Sequence, residues 1–435
     1  MKQKTAEKLI TALGTAFLVL VFALWLSNAG TSTVGLTAAG ISVFLMWVLC
    51  IRFVPVWLDD WRNPHVAVQR IQGNRACTVF IAIILWDITV IILVWILRNI
   101  FGYGETLLQS LEFWRCTDSQ HYLNIAEDWY LSEGSIDRLV QLVFLPGYPV
   151  AIRLFNALLG NTLYAGFLVS ALSFAGTGVM LYKLVLLDND EACAIRAVRF
   201  LCISPAAFFF VAPMSESLFM LCTVSCIYLV RRGKTLTGCL LGAYAAFTRS
   251  LGVILVVPIL FELINRRAML REYIKVLIVP LGFAAYCLIN YEVSGDAFKF
   301  MEYQSSHWGQ RLGWFFNTAA YQTEYAISSF AANKPNFFGL WLPNLLSQAA
   351  AMIIMICSVK KLRAGYSAYF IAYFVISMGA TWLLSAPRYL AAAFVLPIAA
   401  AILGENRRTD AVLSALSAAF GAMYLCAYVL RWQVW

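Results

Sequence analysis

The chain has 435 residues, of which 61% are hydrophobic and only 13% are charged. This composition, with a mean hydropathy of +0.75, excludes a soluble globular domain. The formal net charge of +9 comes mostly from basic residues in alternate loops, so it indicates membrane topology and not a nucleic-acid partner. The predicted class is an all-α polytopic membrane protein.

Apolar segments that qualify as candidate spans recur along the whole chain. They are residues 9–27, 34–54, 77–100, 162–187, 198–212, 214–231, 236–264, 273–291, 340–359, 366–385, 388–404 and 411–431. The first follows three lysines, as a signal peptide would. Because its apolar run is long and lacks a clear small-residue cleavage site, we interpret it as a retained span. We predict a bundle of about 11 to 14 transmembrane helices.

Lysine and arginine concentrate in alternate loops. The N-terminus and residues 52–75, 183–199, 231–234, 266–275, 360–363 and 407–408 hold 22 of the 32 basic residues. Because basic loops stay in the cytoplasm, these loops are predicted to be cytoplasmic and the two long loops external. We therefore predict a single integral membrane domain over residues 1–435. Residues 1–75 contain two N-terminal spans and a cytoplasmic loop. The first external loop is predicted at residues 101–159 and the second at residues 292–339.

Three regions do not have the pattern of simple spans. Residues 143–159 contain two prolines and a central Arg153, which favour an external juxtamembrane helix or a re-entrant element; whether they cross the membrane stays open. Residues 198–212 are short and contain Pro205, and Arg249 divides residues 236–264 into two halves. Broken segments of this kind are tolerated where they line a protein-buried or watery cavity.

The first external loop holds a dense group of polar and aromatic residues between Trp114 and Tyr130. Thr117 and Gln120 have the spacing of a capping box, which predicts a helix that starts near residue 117. Asp118, His121 and Tyr122 then share one face of that helix. Asp118 is either a carboxylate stabilised by the helix N-terminus or a general base at the membrane surface, with His121 beside it.

Three charged residues lie at predicted helix ends near the external surface. Glu216 is either a favourable acid at a helix N-terminus or a functional carboxylate at membrane depth. Arg249 and Arg388 oppose the positive-inside trend, and each is either an ion-pair or snorkelling residue or a ligand for phosphate oxygens.

Other polar residues receive less specific interpretations. The second loop carries Gln304, His307, Trp308 and Arg311 in an aromatic segment suited to the interface, and His307 by itself is more typical of a loop histidine than of a ligand. Asp87, inside a predicted span, is expected to pair with Thr89 or a buried arginine. The eleven cysteines show no metal-type spacing and no disulfide framework is expected.

No cofactor is predicted from the sequence. A divalent metal stays open, because Glu127, Asp128 and His121 offer oxygen and nitrogen ligands at a spacing that is not diagnostic. The chain also lacks a P-loop, an H-E-x-x-H motif and enough hydrophilic sequence for a soluble nucleotide-sugar domain. Any sugar donor is therefore expected to be carried by the membrane.

Six short motifs keep a fixed order between residues 114 and 389. They are Asp118-Ser-Gln-His-Tyr-Leu-Asn-Ile-Ala126 with Tyr130, Phe144-Leu-Pro-Gly-Tyr-Pro149, Ser204-Pro205 with Ser215-Glu-Ser-Leu-Phe219, Thr248-Arg-Ser250, Gln304 with His307-Trp308, and Pro387-Arg388. In these the chain resembles the family of the second GPI-anchor mannosyltransferase and its bacterial relatives, within the type C glycosyltransferases. It departs from the family in Cys116-Thr117 before the aspartate, in Leu251, and in its two extra N-terminal spans.

The resemblance implies an inverting transferase that moves a hexose, with mannose the expected sugar, from a polyprenyl-phosphate donor to a hydroxyl of a lipid-linked or cell-envelope acceptor on the external face. It makes Asp118 the catalytic base. It makes the following residues candidate donor-phosphate or substrate contacts: Arg115, His121, Tyr122, Ser215, Glu216, Arg249, Gln304, His307, Trp308, Arg311 and Arg388. The expected location is a multi-pass protein of a bacterial plasma membrane, in contact with membrane lipids.

Two other classes of function stay open. A transporter or flippase would also use half-helices and charges inside the membrane, and it would predict inverted repeats, which are not visible by eye. A scaffold protein without chemistry would have no cavity on its external face. The sequence leaves the acceptor, the sugar and the oligomeric state undetermined.

Overall fold

The computed structural model describes residues 2–63, 75–130 and 140–434. In these ranges the chain is helical apart from loops, turns and one isolated antiparallel bridge between Leu312 and Ala380. All eleven cysteines are free thiols, as expected. The structure confirms the all-α class.

The helices have the following bounds. The α-helices are Lys2–Leu26, Thr33–Arg62, Ala76–Ile100, Leu107–Glu112, Asp118–Asp128, Gly147–Leu159, Thr162–Val185, Glu191–Cys202, Glu216–Arg231, Thr235–Thr248, Val256–Asn265, Leu270–Ile274, Val279–Ser294, Lys299–Trp308, Phe315–Ala332, Lys334–Asn336, Leu342–Ser358, Ala364–Ser377, Ala386–Ala391, Val395–Leu403 and Arg407–Val429. Short 3₁₀ turns are Val140–Val143, Ala207–Phe210, Ser250–Leu255, Lys275–Ile278 and Val359–Lys361, and Phe337–Trp341 is a π-turn.

Seven helical segments of the described chain are long and apolar enough to cross a membrane. They are Lys4–Leu26, Thr33–Arg62, Ala76–Ile100, Thr162–Val185, Leu270–Ser294, Lys334–Lys361 and Arg407–Val429. The other five predicted spans are shorter helices or broken ones. As expected, the breaks include the region around Pro205 and the backbone at Arg249, where helix Thr235–Thr248 ends. The chain is an integral membrane protein with several half-length helices.

At the centre of the bundle, helix Glu216–Arg231 packs closely on both Thr162–Val185 and Thr235–Thr248. Helix Gly147–Leu159 lies against Thr162–Val185 and Asp118–Asp128. At 13 residues it is shorter than the roughly 20 residues that cross a bilayer. Its length therefore agrees with a juxtamembrane or re-entrant element.

The second N-terminal helix makes polar contacts with later parts of the chain near both of its ends. Near the end of helix Thr33–Arg62, Asp60 Oδ2 accepts a hydrogen bond of 3.0 Å from the amide of Ala364. At its start, the amide of Ser32 donates a hydrogen bond of 2.7 Å to Glu324 Oε1 in the second long loop. The N-terminal spans are thus fixed to helix Phe315–Ala332 at the end that is predicted to be external.

The opposite end gathers several of the basic segments. Arg231 donates two hydrogen bonds of 2.5 and 2.7 Å to Asp188, and Arg363 donates one of 3.0 Å to Glu262. This clustering agrees with one shared side for these loops, as the charge count predicts.

Candidate functional site

The first site helix begins at Asp118, directly after a strained residue. Thr117 has φ 52° and ψ −134°, a conformation that is costly for a β-branched residue. The predicted helix start is confirmed, but the predicted capping box is wrong, since the Thr117 side chain caps nothing and its hydroxyl has no hydrogen-bond partner in the described chain. The positive φ is incompatible with the extended backbone typical of an N-cap.

A genuine capping box lies one helix earlier. Thr106 Oγ1 accepts from the amide of Gln109 at 3.3 Å, and the Thr106 amide donates to Gln109 Oε1 at 2.8 Å. This pair starts helix Leu107–Glu112. The capping pattern therefore occurs in the first loop, at a position that our sequence interpretation missed.

Four charged residues from distant parts of the sequence form one connected cluster, which we call the ion cluster: Asp118, Glu216, Arg249 and Arg388. The Arg388 guanidinium donates a hydrogen bond to Asp118 Oδ2, and its Nε lies 2.8 Å from Glu216 Oε1. Arg249 Nη1 donates to the same Glu216 oxygen. Two carboxylates and two guanidiniums thus alternate along one chain of contacts.

Most of the ion cluster is shielded from solvent. Glu216 is 1% exposed, Arg249 7% and Arg388 5%, whereas the Asp118 side chain is 26% exposed. Charges at this depth are stable only when they are paired. Asp118 is therefore the member of the cluster that reaches a surface, and the other three form its buried support.

The environment of Asp118 keeps it ionised. Burial by itself would raise its pKa, but the charge and hydrogen bond of Arg388, with smaller contributions from His121 and Arg249, hold the pKa of Asp118 below its usual value. Burial lowers the pKa of His121, although Asp118 partly opposes this shift. The His121 ring stacks on Phe144 at 4.5 Å between centroids. Asp118 is thus an ionised carboxylate beside an imidazole whose pKa is lowered.

Close packing of glycines positions Arg249. Helix Thr235–Thr248 ends at Arg249, whose backbone is extended at φ −148° and ψ 135°. A Cβ on Gly252 would lie 2.3 Å from the amide nitrogen of Ala246, and one on Gly147 would lie 2.3 Å from Thr248 Oγ1. Only glycine allows the chain to fold back this tightly, and the fold-back places Arg249 inside the bundle.

Glu216 and its neighbours anchor the same region. Glu216 is the first residue of helix Glu216–Arg231, where the helix dipole favours a carboxylate. Arg249 Nη1 also donates to Ser215 Oγ at 3.2 Å, and Ser215 shares a hydrogen bond of 2.9 Å with the Tyr122 hydroxyl. Tyr122 and Ser215 thus extend the ion cluster by a hydroxyl pair, and both were predicted site residues.

A large cavity adjoins the ion cluster. Its volume is about 1000 Å³, and Ser250 and Tyr389, the chain neighbours of Arg249 and Arg388, contribute to its lining. The Arg249 guanidinium lies 5.0 Å from the centre of the Tyr389 ring. The volume is at the upper end of the roughly 300–1,000 Å³ typical of small-molecule sites. Ser250 and Tyr389 were not predicted site residues, although Ser250 belongs to the quoted motif Thr248-Arg-Ser250 and Tyr389 directly follows Pro387-Arg388.

The second long loop forms the other side of this cavity. Gln304 and Arg311 line it. Gln304 donates to Gln310 Oε1 at 3.0 Å, and the exposed Arg311 donates from Nε to Ser305 Oγ at 2.8 Å. The structure therefore brings these two predicted residues to the same space as Ser250 and Tyr389.

The remaining predicted residues lie elsewhere. His307 is exposed, with Nδ1 3.0 Å from Ser306 Oγ, and does not line the cavity. Trp308 packs edge-on against Phe144 at 6.0 Å, which joins the second loop to the His121 stack. Arg115 forms ion pairs of 3.6 and 3.7 Å with Glu112 and Glu127, and none with the ion cluster.

Two further expectations concern ligands and partners. Within the described ranges, no three His, Cys, Asp or Glu side chains lie together as a metal site would require, so Glu127, Asp128 and His121 do not form one. The expected partner of Asp87 is wrong, because both of its carboxylate oxygens are buried without a hydrogen bond to any described group. The Thr89 hydroxyl instead donates to the Leu85 carbonyl.

Half-length helices that converge on a buried ion cluster beside a large cavity define an integral membrane protein with an enzyme-like site. Residues 98–379 match the family described as Mannosyltransferase (PIG-V). This match covers more than half of the chain, and the chain belongs to that family. The matched range starts after the two N-terminal helices. It includes three of the four ion-cluster residues and ends before Arg388.

Animal proteins of related sequence match a smaller part. The chain is 33% identical over 163 residues to GPI alpha-1,6-mannosyltransferase 2 of Homo sapiens, a match that covers 34% of this chain and 31% of the human protein. It is 31% identical over 156 residues to GPI mannosyltransferase 2 of Drosophila pseudoobscura pseudoobscura, covering 31% of this chain and 33% of that protein. The chain thus spans about a third of the length of these relatives. Because they are eukaryotic, they do not support the expected bacterial plasma membrane.

Proposed function

We propose that this protein is an inverting mannosyltransferase that takes mannose from a polyprenyl-phosphate donor and transfers it to a hydroxyl of a lipid-linked or cell-envelope acceptor at the external face of the membrane. The observation that supports this most directly is the contact between Asp118 and the buried Arg388–Glu216–Arg249 group. It occurs in a chain that belongs to a mannosyltransferase family and matches a human protein named GPI alpha-1,6-mannosyltransferase 2.

In the proposed reaction the acceptor oxygen attacks the anomeric carbon of mannose while the bond from that carbon to the phosphate oxygen breaks. The acceptor proton moves to Asp118, and the electron pair of the broken bond leaves with the polyprenyl phosphate. Asp118 suits this role because Arg388 keeps it ionised and because it is the exposed member of the cluster.

The departing phosphate gains negative charge and therefore needs fixed positive charge or hydrogen-bond donors. The cavity offers Arg311 at its rim and Gln304, Ser250 and Tyr389 in its lining. In the described part of the chain Arg311 forms no ion pair, whereas Arg249 and Arg388 are each bound to a carboxylate. We assign Arg311 to the donor phosphate and the two buried arginines to support of the carboxylates.

Purified protein incubated with radiolabelled polyprenyl-phosphate mannose and lipid acceptors tests this proposal. Asp118→Asn should lower the transfer rate by about 10² to 10⁴, the usual contribution of a general base. The matched control is Asp410→Asn, which removes another Asp–Arg pair, with Arg199, outside the site and should leave the rate unchanged.

Two results would contradict the proposal. A correctly folded Asp118→Asn variant with full activity would remove the assigned base. Counterflow of the lipid-linked sugar across proteoliposomes without any covalent product would instead favour the transporter class.

A further inference from the structure

An apolar groove lies where the two N-terminal helices meet the rest of the bundle. Its volume is about 380 Å³, and it lies among helices Lys2–Leu26, Thr33–Arg62 and Ala364–Ser377 and residues 314–316. Thr11 and Thr15 are the only hydroxyl-bearing residues in its lining. The Thr15 hydroxyl is already used, since it donates to the Thr11 carbonyl and accepts from Trp47 Nε1 at 2.9 Å. The groove therefore suits hydrocarbon and offers little to a polar ligand.

A second apolar space continues the groove toward the predicted external end. It measures about 300 Å³ and is lined by Val21, Leu24, Trp25, Asn28 and Trp314. Val21 and Trp314 line both spaces, so the two adjoin. Both spaces depend on the N-terminal helices, which precede the part of the chain that matches the family.

One short segment of the second loop contributes residues to both the apolar groove and the large cavity. Leu312 and Ala380 form the isolated bridge, and both line the large cavity. Two residues after Leu312, Trp314 lines the groove. The large cavity and the apolar groove are thus lined by residues only two positions apart, within reach of one elongated molecule.

The N-terminal helices are held at this position by specific polar contacts. Trp25 Nε1 donates to Asn317 Oδ1 at 3.0 Å. Ser32 donates to Glu324, as described above. Since these bonds tie the groove to the loop that lines the cavity, the two spaces keep a fixed relation to one another.

We propose that the groove binds the polyprenyl chain of the lipid-linked substrate whose phosphate and sugar enter the large cavity. This inference rests on the proposed function, which supplies a substrate with one polar and one apolar end. Gln304 and Arg311 in the cavity lining match the phosphate, and the groove, whose lining carries no charged residue, is the adjoining space for the apolar chain. The extra N-terminal helices then serve as a lipid-chain binding element.

Gly14 provides a direct test. It lines the groove, and a Cβ built on it meets no atom within 4 Å. Gly14→Phe therefore fills the groove without a clash at its first side-chain atom. Gly40→Phe is the matched control, because Gly40 lies on the second N-terminal helix, outside the groove lining, and its Cβ also meets nothing within 4 Å.

The first measurement uses the full chain in lipid nanodiscs and a polyprenyl phosphate with a photoreactive group at the far end of its chain, without sugar. The expected result is cross-linking to residues 10–21 and 46–57, lost in Gly14→Phe and kept in Gly40→Phe. Cross-linking elsewhere, or equal labelling of both variants, would overturn the inference. Because the probe carries no sugar, this result does not depend on transfer activity.

The second measurement compares a long polyprenyl donor with a short prenyl donor. Gly14→Phe should raise KM for the long donor about tenfold, which corresponds to burial of roughly two methylene groups, and should leave the short donor and kcat unchanged. An equal change for both donors would show that the groove does not bind the chain. No transfer by the unaltered chain with either donor would instead count against the proposed function.

Discussion

Glu216 is the residue on which the stability of the ion cluster depends most. One of its carboxylate oxygens contacts both Arg388, at 2.8 Å from Nε, and Arg249. Glu216→Gln keeps the shape of the side chain but removes its charge. Arg249 then loses its carboxylate partner, while Arg388 keeps Asp118.

The expected magnitude follows from burial. Glu216 is 1% exposed and Arg249 7%, and loss of one partner from such a buried ion pair costs about 3–5 kcal/mol. Glu405→Gln is the control, since Glu405 forms an exposed pair with Lys361 at 3.0 Å and exposed pairs contribute at most about 1 kcal/mol. Thermal denaturation in nanodiscs should show a large decrease for Glu216→Gln and little change for Glu405→Gln.

A double-mutant cycle tests the reasoning itself. Arg249→Met removes the charge left unpaired by Glu216→Gln, so the double variant should regain much of the lost stability. We expect a coupling of about 1–3 kcal/mol between the two positions. Additive effects of the two substitutions, or an unchanged stability of Glu216→Gln, would refute the buried coupling.

Two further predictions concern the same site. Because the pKa of Asp118 lies below its usual value, the carboxylate should still be ionised at pH values just below about 3.9, the ordinary value for aspartate. Its contribution to stability should be complete above that pH and be lost as the pH falls further, through the lowered pKa. Arg388→Gln should move the acid limb of the rate–pH profile to higher pH, and an unmoved limb would show that Arg388 does not set this pKa. Thr117→Gly should raise thermal stability, because glycine removes about 1–3 kcal/mol of strain from the backbone at φ 52°; a lower stability, with the helix start at Asp118 intact, would contradict that expectation.

Several features could be predicted from local sequence. Apolar run length predicted the membrane class, because hydrocarbon requires a helix to satisfy its own backbone. The helix start near Asp118 was correct to one residue, and the break at Arg249 was anticipated because a charge interrupts an apolar run. The capping box was wrong because spacing alone does not reveal that Thr117 has a positive φ.

The sequence by itself thus determined the membrane class, the family and the candidate charged residues, since each depends on local composition or on short motifs. Only the tertiary structure decided that Asp118, Glu216, Arg249 and Arg388 touch one another, and that Arg115 pairs with Glu112 and Glu127 instead. It also decided that the N-terminal helices form a groove beside the cavity. The physical reason is that these contacts join residues up to 270 positions apart, and their partners are set by how helices pack and where glycines allow close approach, which no local pattern records.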